Sequence, residues 1–219
     1  MVTYEQIKQN PIIKTYITSA DQALIALGYT EHSFAHVEKV AKDAAYILSS
    51  LDYPKRAVEL VKIAAYLHDI GNLVNRVDHS QSGAIMSFRL LDNMKMDPEE
   101  ISLIVSAIGN HDEGTGIPVH PIAAALILAD KSDVRRSRVR NQNQANFDIH
   151  DRVNYSVTKS YLEVNKDQKK IFLNLEIDTS ISPLIEYFEI FLNRMKLCKN
   201  AAAKLGLTFQ LIINGQALS

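Results

Sequence analysis

Tyr66-Leu67-His68-Asp69-Ile70-Gly71 closes an apolar run that begins at Val58. It sets an imidazole and a carboxylate side by side at the end of a hydrophobic helix, then stops that helix with a glycine. A buried histidine beside a buried aspartate is costly unless each is hydrogen-bonded, charge-paired or bound to a cation. A divalent metal ion answers both at once. Imidazole and carboxylate suit zinc, manganese, iron and similar ions, and one aspartate can bridge two of them.

Upstream, Asp52-Tyr53-Pro54 reads as a turn, with Pro54 at the first position of the helix that runs to His68. Ala57, Leu60, Val61, Ala64 and Leu67 form its packing face, and Ala64 and Ala65 admit a close neighbour. The preceding helix is expected from Thr30 to Leu51, with a core face of Val37, Val40, Ala41, Ala44, Ile47, Leu48 and Leu51. His36 lies one turn before Val40 on that face. Taken alone, such a histidine is more often a hydrogen-bonded core residue than a ligand. His32, a further turn back, is read as a helix-start or supporting residue. Two scaffold helices come before, Tyr4 to Gln9 and Ile13 to Leu27, with Pro11 between them and Gly28 after.

Downstream, a polar loop from Asn72 to Asp78 carries Arg76, and His79 opens a helix with Gly83, Ala84, Met86, Leu90 and Leu91. Asp97, Pro98, Glu99 and Glu100 start the next helix, which continues through Ile101, Ile104, Val105 and Ile108 to Asn110-His111-Asp112. His111, like His68, ends an apolar helix beside an aspartate. After the loop Glu113 to Pro118, Pro121 opens a helix whose eight apolar residues deliver Asp130-Lys131. It is expected to continue through Asp133, Arg135, Arg136, Arg138 and Arg140, with the arginines read either as a solvated face or as a phosphate clamp. His120 reads as the cap of that helix, with a ligand role as the alternative.

Past a polar linker at Asn141-Gln142-Asn143-Gln144, strands are expected over Ser156 to Val164 and Ile171 to Ile177, then a helix from Pro183 to Leu205 and a strand from Leu207 to Ile213. The expected architecture is therefore mainly α: a helical domain over residues 1–140 and a small α+β (β-β-α-β) unit over residues 141–219. This unit holds no recognisable chemical motif, so packing is its expected role, and it offers a dimerisation or regulatory surface.

The chain has 219 residues, 47% of them hydrophobic, and 24 basic against 25 acidic side chains, so the charge balance gives no argument for a nucleic-acid backbone or an anionic membrane as an obligatory partner, though local basic clusters can still bind phosphate. The single Cys198 excludes a disulfide framework or a cysteine-rich zinc site. With no leader-like N-terminus and no run of roughly 18 apolar residues, a cytoplasmic protein is expected.

Together, His36-Val37-Glu38-Lys39-Val40-Ala41, His68-Asp69-Ile70-Gly71 and Leu128-Ala129-Asp130-Lys131-Ser132-Asp133 resemble, in that order, the HD-domain metal-dependent phosphohydrolases. The resemblance covers about residues 30–140. It implies an all-helical domain in which His36, His68, Asp69 and Asp130 hold a divalent ion. His79-Ser80-Gln81-Ser82-Gly83-Ala84 and Ile108-Gly109-Asn110-His111-Asp112-Glu113-Gly114 resemble the binuclear branches, which implies that His79 and His111 take a second ion with Asp69 as the bridge. The block from His111 to Arg136 is similar to the branch hydrolysing symmetrical dinucleoside tetraphosphates, although Asn72 stands where many relatives carry lysine. Gly114-Thr115-Gly116-Ile117-Pro118 echoes the cyclic-dinucleotide phosphodiesterases called HD-GYP, which would have histidine at Asp112 and an aromatic at Ile117.

The expected activity is hydrolysis of a phosphate ester or anhydride, in a nucleotide or related small metabolite, by metal-activated water. Asp69 and His68 are its expected catalytic centre, with Lys131, Arg135 or Arg76 meeting developing charge and Asp133 orienting a ligand. The alternatives are a cyclic-dinucleotide phosphodiesterase and a non-catalytic metal-binding or sensing module.

Overall fold

The computed structural model describes residues 1–141 and 143–218. Seven helices come first: α1 (Tyr4–Gln9), α2 (Pro11–Ala26), α3 (Phe34–Ser50), α4 (Lys55–Leu67), α5 (His79–Asn93), α6 (Pro98–Gly109) and α7 (Pro121–Ser132). Asn10 caps α2 by accepting from Ile12 and Ile13, so Pro11 sits in the first turn, where its missing N–H costs nothing. Asp97 caps α6 in the same way through the amides of Glu99 and Glu100.

Helix α7 is the axis of this bundle. Every residue from Ile122 to Ser132 is buried, as an apolar sequence without a polar face requires, and α3, α4 and α6 pack around it. The close approach of α3 to α4 uses Ala41, Ala44, Ala64 and Ala65, all buried.

The C-terminal part consists of α8 (Ile149–Ser156), β1 (Val157–Asn165), β2 (Lys170–Ile177), α9 (Leu184–Lys204), β3 (Thr208–Ile213) and the short β4 (Gln216–Ala217). The sheet order is β1-β2-β3-β4. β1 and β2 form an antiparallel hairpin, and α9 is the crossover that lets β3 run parallel to β2. Alternation puts Ile171, Leu173 and Leu175 level with Phe209, Leu211 and Ile213 on one buried face. Helix α9 packs on β3 and also on α7, so one hydrophobic cluster runs through both parts of the chain. Among the described residues no helix is long and apolar enough to cross a membrane.

The mainly α architecture with its C-terminal sheet and helix is as expected, but several boundaries differ. Helix α3 begins at Phe34, not Thr30, because Ser33 caps it, accepting from Ala35 while its own amide donates to Glu31. Helix α4 stops at Leu67, and a 3-10 turn, Ile70–Leu73, occupies the start of the expected polar loop. Helix α7 ends at Ser132. The expected continuation to Arg140 is absent because Asp133 leaves helical backbone (φ −80°, ψ 70°) and its side chain is held by partners from outside the helix. Of the expected linker, Gln142 lies outside the described residues. Helix α8 follows it unforeseen, capped by Asp148, and Ser156 ends that helix instead of starting β1.

Gly71 lies in the 3-10 turn with α5 pressed against it, so that a Cβ would overlap the backbone carbonyl of His79 and the amide of Gly83. A Gly71→Ala substitution therefore forces α5 away from His68 and Asp69. It is expected to cost about 1–3 kcal/mol of unfolding free energy, measured by denaturant titration, and to weaken metal retention in the same protein.

Candidate metal centre

Four histidines and two aspartates from five elements converge at one end of α7. His36 comes from the first turn of α3, His68 and Asp69 from the end of α4, His79 from the start of α5, His111 from just past α6, and Asp130 from the last turn of α7. All six are buried, the least so Asp130 at 9% exposure.

What each imidazole does with its Nδ1 decides what its Nε2 can do. His68 Nδ1 lies 2.7 Å from Ala65 O, His79 Nδ1 3.0 Å from Arg76 O and His111 Nδ1 2.6 Å from Ile108 O. In each case the acceptor is the carbonyl three residues back, and for His68 and His111 it belongs to the last turn of a helix, where carbonyls lack a helical donor. His36 Nδ1 lies 2.7 Å from Asp133 Oδ2. These partners only accept, so Nδ1 carries the hydrogen in all four rings and, in the neutral rings, Nε2 presents a lone pair.

The four Nε2 atoms face inward. Those of His36 and His68 are buried without a hydrogen bond. His36 Nε2 is 3.3 Å from Asp130 Oδ1 and 3.6 Å from Asp69 Oδ2; His68 Nε2 is 3.3 Å from Asp69 Oδ2 and 3.6 Å from Asp130 Oδ1. On the other side, His79 Nε2 is 3.5 Å and His111 Nε2 3.9 Å from Asp69 Oδ1, and the two nitrogens are 3.2 Å apart. Asp69 thus turns one oxygen to each group. Ligand atoms of His36, His68 and Asp130, and those of His68, Asp69 and His111, lie close enough together to share an ion. A site of inward lone pairs and carboxylates fits a divalent cation and nothing apolar.

The surroundings hold this set in place. Asn72 Nδ2 donates to Asp69 Oδ1 at 3.0 Å and so orients the central carboxylate. Lys131 Nζ lies 2.6 Å from Asp130 Oδ2, which leaves Oδ1 for the centre. Asp133, fully buried, also accepts from Arg135 Nε at 2.8 Å, while Arg138 donates to its carbonyl and to that of Glu31. Arg135 reaches Glu31 at 3.0 Å and does not line the recess over the site. Arg140 pairs with Asp21, and Arg136 donates to Tyr155 O. These contacts tie the chain after α7 to the rest of the bundle.

Arg76 and Lys131 do line the recess, with His32, whose Nδ1 is 2.7 Å from Thr30 O. His120 caps α7, accepting from Ala123, and lies 2.6 Å from Ser106 Oγ. Glu113, from the loop after His111, and Arg194, to which no role is assigned by sequence pattern, also line the recess. The signal for Arg194 was its position on α9, in register with the buried stripe Tyr187, Phe191, Cys198 and Ala201.

Electrostatics match the geometry. Burial alone would lower the His68 pKa, but Asp69 and Asp130 push it up to about 10; burial drives His111 down to about 3, and His79 is lowered too. Burial would raise Asp69, yet the adjoining His68 holds it well below the usual carboxylate range. Without metal, a proton on His68 adds to the positive charge that Lys131 brings to Asp130. Its contribution to stability is complete below the unfolded value of 6.5 and fades as pH rises toward 10, whereas that of His79 and His111 is present above 6.5 and fades as pH falls. Chelator-treated protein should therefore be most stable near pH 6.5, and metal should flatten the alkaline limb, as denaturant titrations from pH 4 to 10 will show. Asp133→Asn removes the acceptor that fixes the His36 ring; metal affinity, read by competition with a chelating dye, should fall roughly 10–100-fold.

The model of the HD domain family matches residues 33–143, just over half of the chain. An uncharacterized protein of Methanocaldococcus jannaschii is 27% identical over 162 residues, a match that takes in 63% of this chain and 61% of that protein. The chain thus spans less than two thirds of this relative's length. A crystal structure of a predicted HD superfamily hydrolase from an uncultured Thermotogales bacterium aligns over 62% of this chain and 75% of its own, at 24% identity and a TM-score of 0.42. With its ligand-type histidines and aspartates gathered at the end of α7 and the family model spanning all of them, the chain belongs to the HD domain family.

Proposed function

We propose that this protein hydrolyses a phosphate ester or anhydride in a nucleotide or related small metabolite, with two divalent ions as cofactors. One observation carries the reading. Four imidazole Nε2 atoms and two carboxylates converge while every Nδ1 is engaged by an acceptor, so ring lone pairs and carboxylate oxygens face one another across the centre. His36, His68 and Asp130 would hold one ion, His79 and His111 a second, and Asp69 would bridge them through its two oxygens. What bound ions would supply is Lewis acidity toward a phosphoryl oxygen and a lowered pKa for water.

The chain's own residues do the rest. Asn72 and Lys131 each engage an oxygen of Asp69 or Asp130 and so fix which way the carboxylate faces. Lys131 and Arg76, both at the recess, are placed to meet charge that develops on the phosphoryl oxygens. The recess itself, about 30 Å³, has room for little beyond a water or a phosphoryl oxygen. It adjoins a cleft of about 530 Å³ lined by Tyr29, Phe191, His150 and Asn154, where aromatic and polar walls suit the base and sugar of a nucleotide.

The test is metal content per chain on protein purified without a chelating column, together with phosphate release from a panel of mononucleotides, dinucleoside polyphosphates and cyclic dinucleotides. Wild type should hold close to two ions, His79→Ala close to one, and Asp69→Ala should lose both metal and hydrolysis. An unchanged rate in Asp69→Ala removes the whole reading; full occupancy with no product from any phosphorylated compound leaves a metal-binding module instead of an enzyme.

A further inference from the structure

Arg194 belongs to the C-terminal helix α9 yet lines the same recess as Asp69, His79, His111 and Asp130. Its Nε donates to Glu113 Oε1 at 2.7 Å, and its guanidinium lies 4.0 Å from the centre of the Phe191 ring. Among the described residues Glu113 is its one hydrogen-bonding partner, and the bond uses Nε alone. The two terminal nitrogens, the pair that matches two oxygens of a phosphoryl group, are left without a protein acceptor.

Arg76 is in a similar state on the other part of the chain. It donates to Asn72 Oδ1 at 3.2 Å, lies 3.4 Å from His79 Nε2, and has no carboxylate within ion-pair distance among the described residues. Arg138, the third arginine of the recess, differs: its guanidinium is engaged by the carbonyls of Glu31 and Asp133.

The charges of the recess show what is missing. Its walls carry three carboxylates, Asp69, Glu113 and Asp130, against four cations, Arg76, Lys131, Arg138 and Arg194. Arg138 is balanced by the buried Asp133, 3.9 Å away, so the other three cations match the three carboxylates, and it is divalent ions that would make the recess cationic. Two incompletely engaged guanidinium groups facing a cationic centre repel it unless an anion lies between them.

We infer that Arg194, with Arg76, binds the phosphoryl group of the substrate, which makes the C-terminal helix part of the active site. The anion's identity as a substrate phosphoryl rests on the hydrolase reading above; the anion site itself does not. Glu113 is the positioning residue: it holds Arg194 by one nitrogen at the edge of the recess and leaves the other two without a protein acceptor among the described residues.

Binding of inorganic phosphate by the full chain, followed by titration calorimetry at pH 7, tests this. It is run with and without added Mn²⁺ on wild type, Arg194→Ala, Arg194→Lys and Glu113→Gln, with metal content and melting temperature measured beside it. Loss of a charged, two-point contact should weaken phosphate binding roughly 10–100-fold in Arg194→Ala, with metal content unchanged. Arg194→Lys, which keeps the charge without the fork and guards against a folding defect, should fall between the two. Glu113→Gln, whose amide oxygen still accepts from Arg194 Nε but whose side chain no longer repels an anion, should bind phosphate at least as tightly as wild type. Equal phosphate affinity in wild type and Arg194→Ala overturns the inference, as does a wild type that binds no phosphate. Arg194-dependent phosphate binding by a protein that retains no metal sustains the anion site and removes the hydrolase reading instead.

Discussion

The structure depends on a cluster of inward-facing acceptors with no donor among them. Asp69 sits between four imidazoles whose nitrogens reach it at 3.3–3.9 Å, too far for good hydrogen bonds and too close for indifference. Such a cluster is stable only around positive charge. In the free protein Lys131 and Arg76 supply part of that charge and a proton on His68 adds to it, because Asp69 and Asp130 push the His68 pKa up to about 10. A divalent ion satisfies the same demand with better geometry, because it is met by several lone pairs at once.

Helix ends are what make the cluster affordable. The carbonyls of Ala65 and Ile108 fall where a helix runs out of its own donors, and His68 and His111 supply the missing N–H. One bond therefore terminates a helix and sets a tautomer. Gly71 and Gly83 let the turn after Asp69 press directly on α5, which brings His79 to the second oxygen of Asp69. Neither contact survives a side chain at Gly71.

Much of this was legible in the sequence because chemistry and periodicity coincide there. His68-Asp69 and Asp130 interrupt apolar runs at helix ends, and His36 shares a face with Val40 and Ala44, so the helices and the residues that meet could both be read from spacing. What escaped was set by contacts distant in sequence. The arginines after α7 look alike along the chain, but Glu31 and Asp21, more than 100 residues earlier, decide their roles. Helix α3 starts late because of Ser33, and α7 ends early because Asp133 is claimed by His36, 97 residues away. Helix α8, short and polar, has no periodicity strong enough to announce it.

Arg194 shows the same limit from the other side. A charged residue in register with Tyr187, Phe191 and Cys198 breaks an otherwise buried stripe, and a break of that kind marks either a paired ion or a ligand site. Sequence alone cannot say which, since Glu113 belongs to a loop some eighty residues earlier. The packing supplies the reason for its position. Helix α7 is apolar on all sides and must be covered on all sides; α3, α4 and α6 cover it from one part of the chain and α9 from the other. Any side chain of α9 that faces the C-terminal end of α7 therefore arrives beside Asp130 and Lys131. The demand for burial that places Asp130 at the centre is the same demand that brings a cation from the C-terminal helix to its edge.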